Sequence, residues 1–101
     1  MSVPVDRIIE FARPMYKALA SHNGEVPAAE LMREVRLGAA EIDGVSNDRE
    51  IDYWLTVALA HLHGSDHIEY DYSFRCRRNP KIREFDAERV RAYAEGSVPS
   101  P

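Results

Sequence analysis

The sequence predicts a single α+β domain, mainly helical, and three observations carry that reading. Apolar residues recur at helical spacing in three successive stretches, the hydrophobic period switches from 3.6 to 2 just beyond Gly64, and a last helical stretch follows Phe85. The chain has 101 residues, 45% hydrophobic and 30% charged. Such a length holds one core, and such an apolar fraction argues against general disorder. No apolar run approaches the roughly 20 residues that cross a bilayer, so no membrane contact is expected. The opening Met1-Ser2-Val3-Pro4-Val5-Asp6 has no basic stretch followed by an apolar one, and the expected location is cytoplasmic. Cys76 is the only cysteine, which excludes an intramolecular disulfide and a multi-cysteine zinc site.

The first helix is expected over about Asp6 to Ser21, with Ile8, Phe11, Ala12, Met15 and Leu19 on one face. Pro14 lies inside it and predicts a kink or two helices, because proline lacks an N–H and clashes with the preceding turn. After a loop around Gly24, Pro27 opens a second helix from Ala28 to about Arg36, burying Leu31, Met32 and Val35, with Gly38 as its stop. Residues 38–48 read as loop, with turns at Asp43-Gly44 and Ser46-Asn47. The third helix is the clearest. Asn47 caps it, Glu50 completes a capping box, and Ile51, Trp54, Leu55, Ala58 and Leu62 form its stripe.

Beyond Gly64-Ser65-Asp66, the residues Ile68, Tyr70, Tyr72, Phe74 and Cys76 alternate with polar ones, which predicts one strand with a buried face. Asn79-Pro80 reads as the turn, and Lys81 to Phe85 as a short returning strand. A final helix runs from Ala87 to Glu95, capped by Asp86 and fastened by a staple between Phe85 and Val90. One domain over residues 1–95 with a flexible tail over 96–101 is the expected organisation. Three helices, a hairpin and a C-terminal helix follow the order of a winged helix-turn-helix, with the third helix for recognition and the β-hairpin as wing.

Charge is distributed unevenly along this order. Residues 1–72 hold six basic and thirteen acidic residues, a balance of −7; residues 73–83 hold five basic residues and no acid; residues 84–101 balance at −2. A net −4 therefore hides a short, strongly basic stretch at the hairpin. Arg75, Arg77, Arg78, Lys81 and Arg83 are the candidate phosphate contacts of the wing. On the third helix, Arg49, Tyr53 and Thr56 lie opposite the Trp54 stripe, where arginine can hold guanine and the hydroxyls can reach bases or phosphates. Asp52 and Glu50 near that face repel phosphates.

The residues Pro14, Leu19, Gly24-Glu25-Val26, Leu31, Leu37-Gly38, Glu41, Trp54-Leu55, Leu59 and Ile68-Glu69 resemble the winged-helix domain at the N-terminus of Mrr-type restriction endonucleases. The likeness covers about residues 14–69 and consists mostly of core positions. It departs at Leu62-His63-Gly64-Ser65-Asp66-His67, where that family has a short small-residue connection. The nuclease domain that follows in those enzymes has no counterpart in this sequence. The resemblance thus implies a stand-alone DNA-binding module and no nuclease.

Catalytic and metal chemistry find little support. His61, His63 and His67 lie close together beside Asp66, but positions two apart point about 200° apart on a helix, so no metal site is expected. Cys76 falls on the predicted buried face, where a thiol packs as a small hydrophobe. No phosphate-binding glycine loop, zinc-protease motif or serine elbow occurs, so neither enzyme activity nor a cofactor is expected. The leading expectation is a small winged-helix protein that binds double-stranded DNA mainly through its wing, as a transcription regulator or phage-type accessory protein. The alternative is a winged-helix protein–protein adaptor or inhibitor docking on an acidic partner protein, since tyrosine and arginine are enriched at such interfaces. The last helix, with Val90, Tyr93 and Ala94, is expected either to pack on the core or to pair two chains as a homodimer.

Overall fold

Helix α1 (Val5–Ala20) runs unbroken through Pro14. Of the two expected alternatives, a division into two helices does not occur. Ile8, Phe11 and Ala12 before the proline and Met15, Tyr16 and Leu19 after it are all buried. A proline inside a helix costs about 3 kcal/mol. Each large apolar side chain buried contributes about 1.5–3 kcal/mol, so packing on both sides of Pro14 outweighs the break. The computed structural model describes residues 4–22, 24–39, 47–71 and 74–96. The predicted turns at Asp43, Gly44 and Ser46, the strand positions Tyr72 and Ser73, Glu41 of the family likeness and the tail over 97–101 lie outside the described residues.

After α1 come strand β1 (Val26–Pro27), helix α2 (Ala28–Ala39), helix α3 (Asp48–Gly64), strands β2 (Ile68–Tyr70) and β3 (Arg75–Arg78), and helix α4 (Ala87–Ala94). The chain is thus α+β and mainly helical, with a three-stranded antiparallel sheet in the order β1-β3-β2. Among the described residues, no helix is long and apolar enough to cross a membrane. α1 packs chiefly on α3 and α2. Leu31, Val35, Ile51, Leu55, Leu62, Ile68 and Cys76 complete the main core, and Ile8, Ile9 and Val90 form a second cluster under α4.

α2 passes through Gly38 instead of stopping there, at a cost of about 1 kcal/mol relative to alanine. α3 begins as expected, with the Asn47 side chain accepting the Glu50 N–H at 2.9 Å. At its other end Asp66 adopts a left-handed φ of 65°. The His67 N–H then reaches the Leu62 carbonyl and the Asp66 N–H the His63 carbonyl. That is a Schellman closure with aspartate in the place usually taken by glycine.

The hairpin differs from its predicted form. The antiparallel partners are β2 and β3, so the reversal falls between Tyr70 and Arg75, not at Asn79-Pro80, and Lys81 to Phe85 form a connection instead of a strand. Ile68 faces Arg78, Glu69 faces Arg77 and Tyr70 faces Cys76. Facing residues share parity, so the alternation continues from one strand into the other without marking the reversal. β3 is already paired on both edges, with Val26 and Pro27 of β1 opposite Cys76 and Arg75. β3 therefore has no free edge for residues 81–85 to join. Phe74, expected on the buried face, stands 76% exposed with φ 57°.

α4 is capped by Asp86, whose carboxylate accepts the Glu88 and Arg89 N–H groups. Phe85 and Val90 meet in the second cluster, as the staple predicts. Val90 is fully buried there, which leaves Tyr93 as the large apolar residue that α4 presents to solvent.

Candidate nucleic-acid interface

Sheet alternation directs Arg75 and Arg77 outward from β3, on either side of buried Cys76. Each meets a carboxylate: Arg75 Nε lies 3.4 Å from Glu25, and Arg77 Nε donates to Glu69 at 2.6 Å. Glu69 is also the cross-strand partner of Arg77. Exposed pairs of this kind contribute at most about 1 kcal/mol, so they are readily exchanged for another anion. Arg78, Lys81 and Arg83 are exposed and make no ion pair among the described residues. Only the first three of the five predicted wing cations sit on the hairpin; Lys81 and Arg83 lie on the connection to α4.

On α3, Arg49, Tyr53 and Thr56 are all exposed, Tyr53 by 59%. The Tyr53 ring stands edge-on to Trp54. Thr56 donates its hydroxyl proton to the Asp52 carbonyl at 2.8 Å, leaving its oxygen free as an acceptor. Arg36 of α2 binds the Asp52 carboxylate through one guanidinium nitrogen and approaches Asp48 at 3.8 Å through another. Asp52, which by sequence repels phosphates, is therefore held by a counter-charge from the neighbouring helix. Nothing in the local sequence of α3 signals that partner.

Between α3 and the hairpin lies an open cleft of about 520 Å³, bordered by Thr56, Ala60 and His63 on the helix side and by Tyr70 and Phe74 on the hairpin side. Tyr93 of α4 also lines it. Its ring lies over Gly64, where an added Cβ would collide with it, and edge-on to His61 with centroids 5.3 Å apart. Sequence periodicity missed this cleft because Phe74 and Tyr93 were both assigned inward or packing faces.

The three neighbouring histidines diverge. His61 Nδ1 bonds the Val57 carbonyl, His63 stacks edge-on to Tyr70, and His67 is buried. Burial holds the His67 imidazole below its usual range, against the opposing pull of Asp86 and Asp66. No group of three or more metal-ligating side chains converges among the described residues. Cys76 is buried, with its thiol directed to the Val26 carbonyl, and burial pushes its pKa up, away from the reactive thiolate. The Tyr70 hydroxyl is pushed up to about 12 by burial, with Cys76 adding to the effect, so it stays protonated. Comparison of the chain with protein-family models, with characterised proteins and with solved structures returns no match.

Proposed function

We propose that this chain is a winged-helix protein that binds double-stranded DNA, with α3 as the recognition helix and the β2–β3 hairpin as the wing. One observation carries the reading: the solvent face of α3 and the hairpin border a single cleft, so helix and hairpin can bear on one ligand together. The strand order and the likeness to the N-terminal domain of Mrr-type restriction endonucleases support it. In this reading Arg75, Arg77 and Arg78, with Lys81 and Arg83 behind them, take phosphates, exchanging Glu25 and Glu69 for the DNA backbone. Arg49, Tyr53 and Thr56 face the groove, and Arg36 silences Asp52.

The test is a binding curve on generic duplex DNA at two salt concentrations. Log affinity should fall by about 0.9 per phosphate contact for each log unit of salt. Replacing Arg75, Arg77 and Arg78 together by alanine should remove most of the binding. Absence of binding at low salt, or binding that survives the triple replacement, would overturn the proposal.

A second reading rests on the aromatic lining of the same cleft and on the internal pairing of Arg75 and Arg77. It is an adaptor docking on an acidic protein. Co-purification of a stoichiometric protein partner free of nucleic acid would favour it. Light scattering would show whether Tyr93 and α4 additionally pair two copies.

A further inference from the structure

Phe74 combines two unfavourable features at one position. Its backbone holds a left-handed φ of 57°, which costs a side-chain-bearing residue about 1–2 kcal/mol. Its ring is left in water, forgoing the burial that a phenylalanine ordinarily gains. Neither is accidental looseness, because Phe74 is hydrogen-bonded at both its N–H and its carbonyl and its described neighbours are bonded too. The Phe74 N–H reaches the Asp71 carbonyl at 3.2 Å and the Phe74 carbonyl accepts the Ala28 N–H at 2.9 Å. The Arg75 N–H binds the Asp71 carboxylate at 3.1 Å, and the Asp71 N–H returns to the Arg75 carbonyl at 3.0 Å. Strain that the surroundings over-determine in this way points to a working residue.

The surroundings also indicate what the ring meets. Phe74 immediately precedes the cationic strand, with Arg75, Arg77 and Arg78 exposed along β3. Arg75 and Arg77 are held only by exposed, exchangeable pairs with Glu25 and Glu69, and an aromatic projection beside such cations matches stacked bases flanked by phosphates better than it matches a protein surface. Apolar side chains that enter DNA do so between base steps, unstacking them.

We propose that Phe74 is a wedge that enters a base step when the hairpin arginines settle on the backbone, so that the protein prefers duplexes whose stacking is already weakened. This rests on the DNA-binding reading above. The wedge spends binding energy on unstacking, and that cost is smallest at a mismatched step. The preference is therefore a property of Phe74, whereas salt dependence is a property of the arginines.

The two are separable by fluorescence anisotropy on a short matched duplex and the same duplex carrying one central mismatch. The wild-type chain should bind the mismatched duplex about tenfold tighter, the scale set by about 1.4 kcal/mol of relieved unstacking. Phe74→Ala should bring the ratio to about one with the salt slope unchanged, since an exposed side chain is removed and no cation is lost. Phe74→Trp should keep the ratio. Equal wild-type affinity for both duplexes, with a normal salt slope, would overturn the wedge and leave the DNA-binding reading standing. A preference that persists in Phe74→Ala would do the same. Failure to bind either duplex would overturn both, and loss of a protein partner on Phe74→Ala without any DNA binding would assign the ring to that partner.

Discussion

His67 Nε2 accepts the backbone N–H of Asp86 at 2.9 Å, across 19 positions of sequence. The other ring nitrogen lies 2.8 Å from the Ser65 hydroxyl, which in turn reaches the Leu62 carbonyl. An acceptor Nε2 requires a neutral imidazole with its proton on Nδ1. One buried ring thereby joins the end of α3, the start of β2 and the cap of α4. Tyr16 of α1 packs edge-on against it, with ring centroids 5.3 Å apart.

That bond makes the fold sensitive to acid. Burial lowers the His67 pKa in the folded state relative to its value of 6.5 in an open chain. Below that value the unfolded chain takes up a proton that the folded chain refuses, so stability falls as pH drops and is fully present above it. Tm should decline between about pH 7 and pH 5. His67→Gln should lower stability by about 1–3 kcal/mol and flatten the decline in that window. A wild-type Tm that does not move over this range would contradict the assignment.

Gly64 and Tyr93 should behave as a coupled pair. Gly64→Ala gains about 1 kcal/mol of helix propensity but forces the Tyr93 ring off α3 and away from His61. The single substitution should therefore be close to neutral, or destabilising. In a Tyr93→Ala background the same change should stabilise by about 1 kcal/mol. Denaturant unfolding of the four chains gives the coupling directly, and additivity would refute the contact.

The Arg36–Asp52 pair should tune DNA affinity from outside the interface. Asp52→Asn removes an anion from the α3 face and frees Arg36, so binding should tighten several-fold at low salt. Arg36→Ala uncovers Asp52 and should weaken binding by a similar factor. Neither change should alter the fold, because the pair lies at the surface and partly exposed. Identical binding by all three chains would place the DNA away from α3.

Backbone strain at Phe74 can be read without any ligand. Glycine tolerates the left-handed conformation and alanine does not, so Phe74→Gly should be more stable than Phe74→Ala by about 1 kcal/mol. The comparison is by urea midpoint, and a reversed order would remove the strain from the account.

Much of the helical part was legible because its chemistry is local. Asn47 and Asp86 cap through side-chain bonds to amides two or three residues on, and the Ile51–Leu62 stripe needs only a period. The misread parts are those set by distant partners. β1 is two residues long and exists only opposite Cys76 and Arg75. The reversal between Tyr70 and Arg75 is invisible in the sequence because partners across the hairpin share parity. Pro14 does not divide α1, because packing from other elements holds the helix on both sides of it. In the candidate site the cationic stretch was plain, whereas Glu25, Glu69 and Arg36, which set its net field, come from three other segments. Phe74 and Tyr93 became site residues only when α3, the hairpin and α4 were brought together.

The central place of β3 in the sheet has a thermodynamic consequence. Its arginines ride on a strand bonded along both edges and pinned at Cys76, not on an unsupported ribbon. A ligand docking there meets backbone that is already ordered and need not supply the entropy of ordering it. Association should therefore show a small heat-capacity change, without the large negative value of coupled folding.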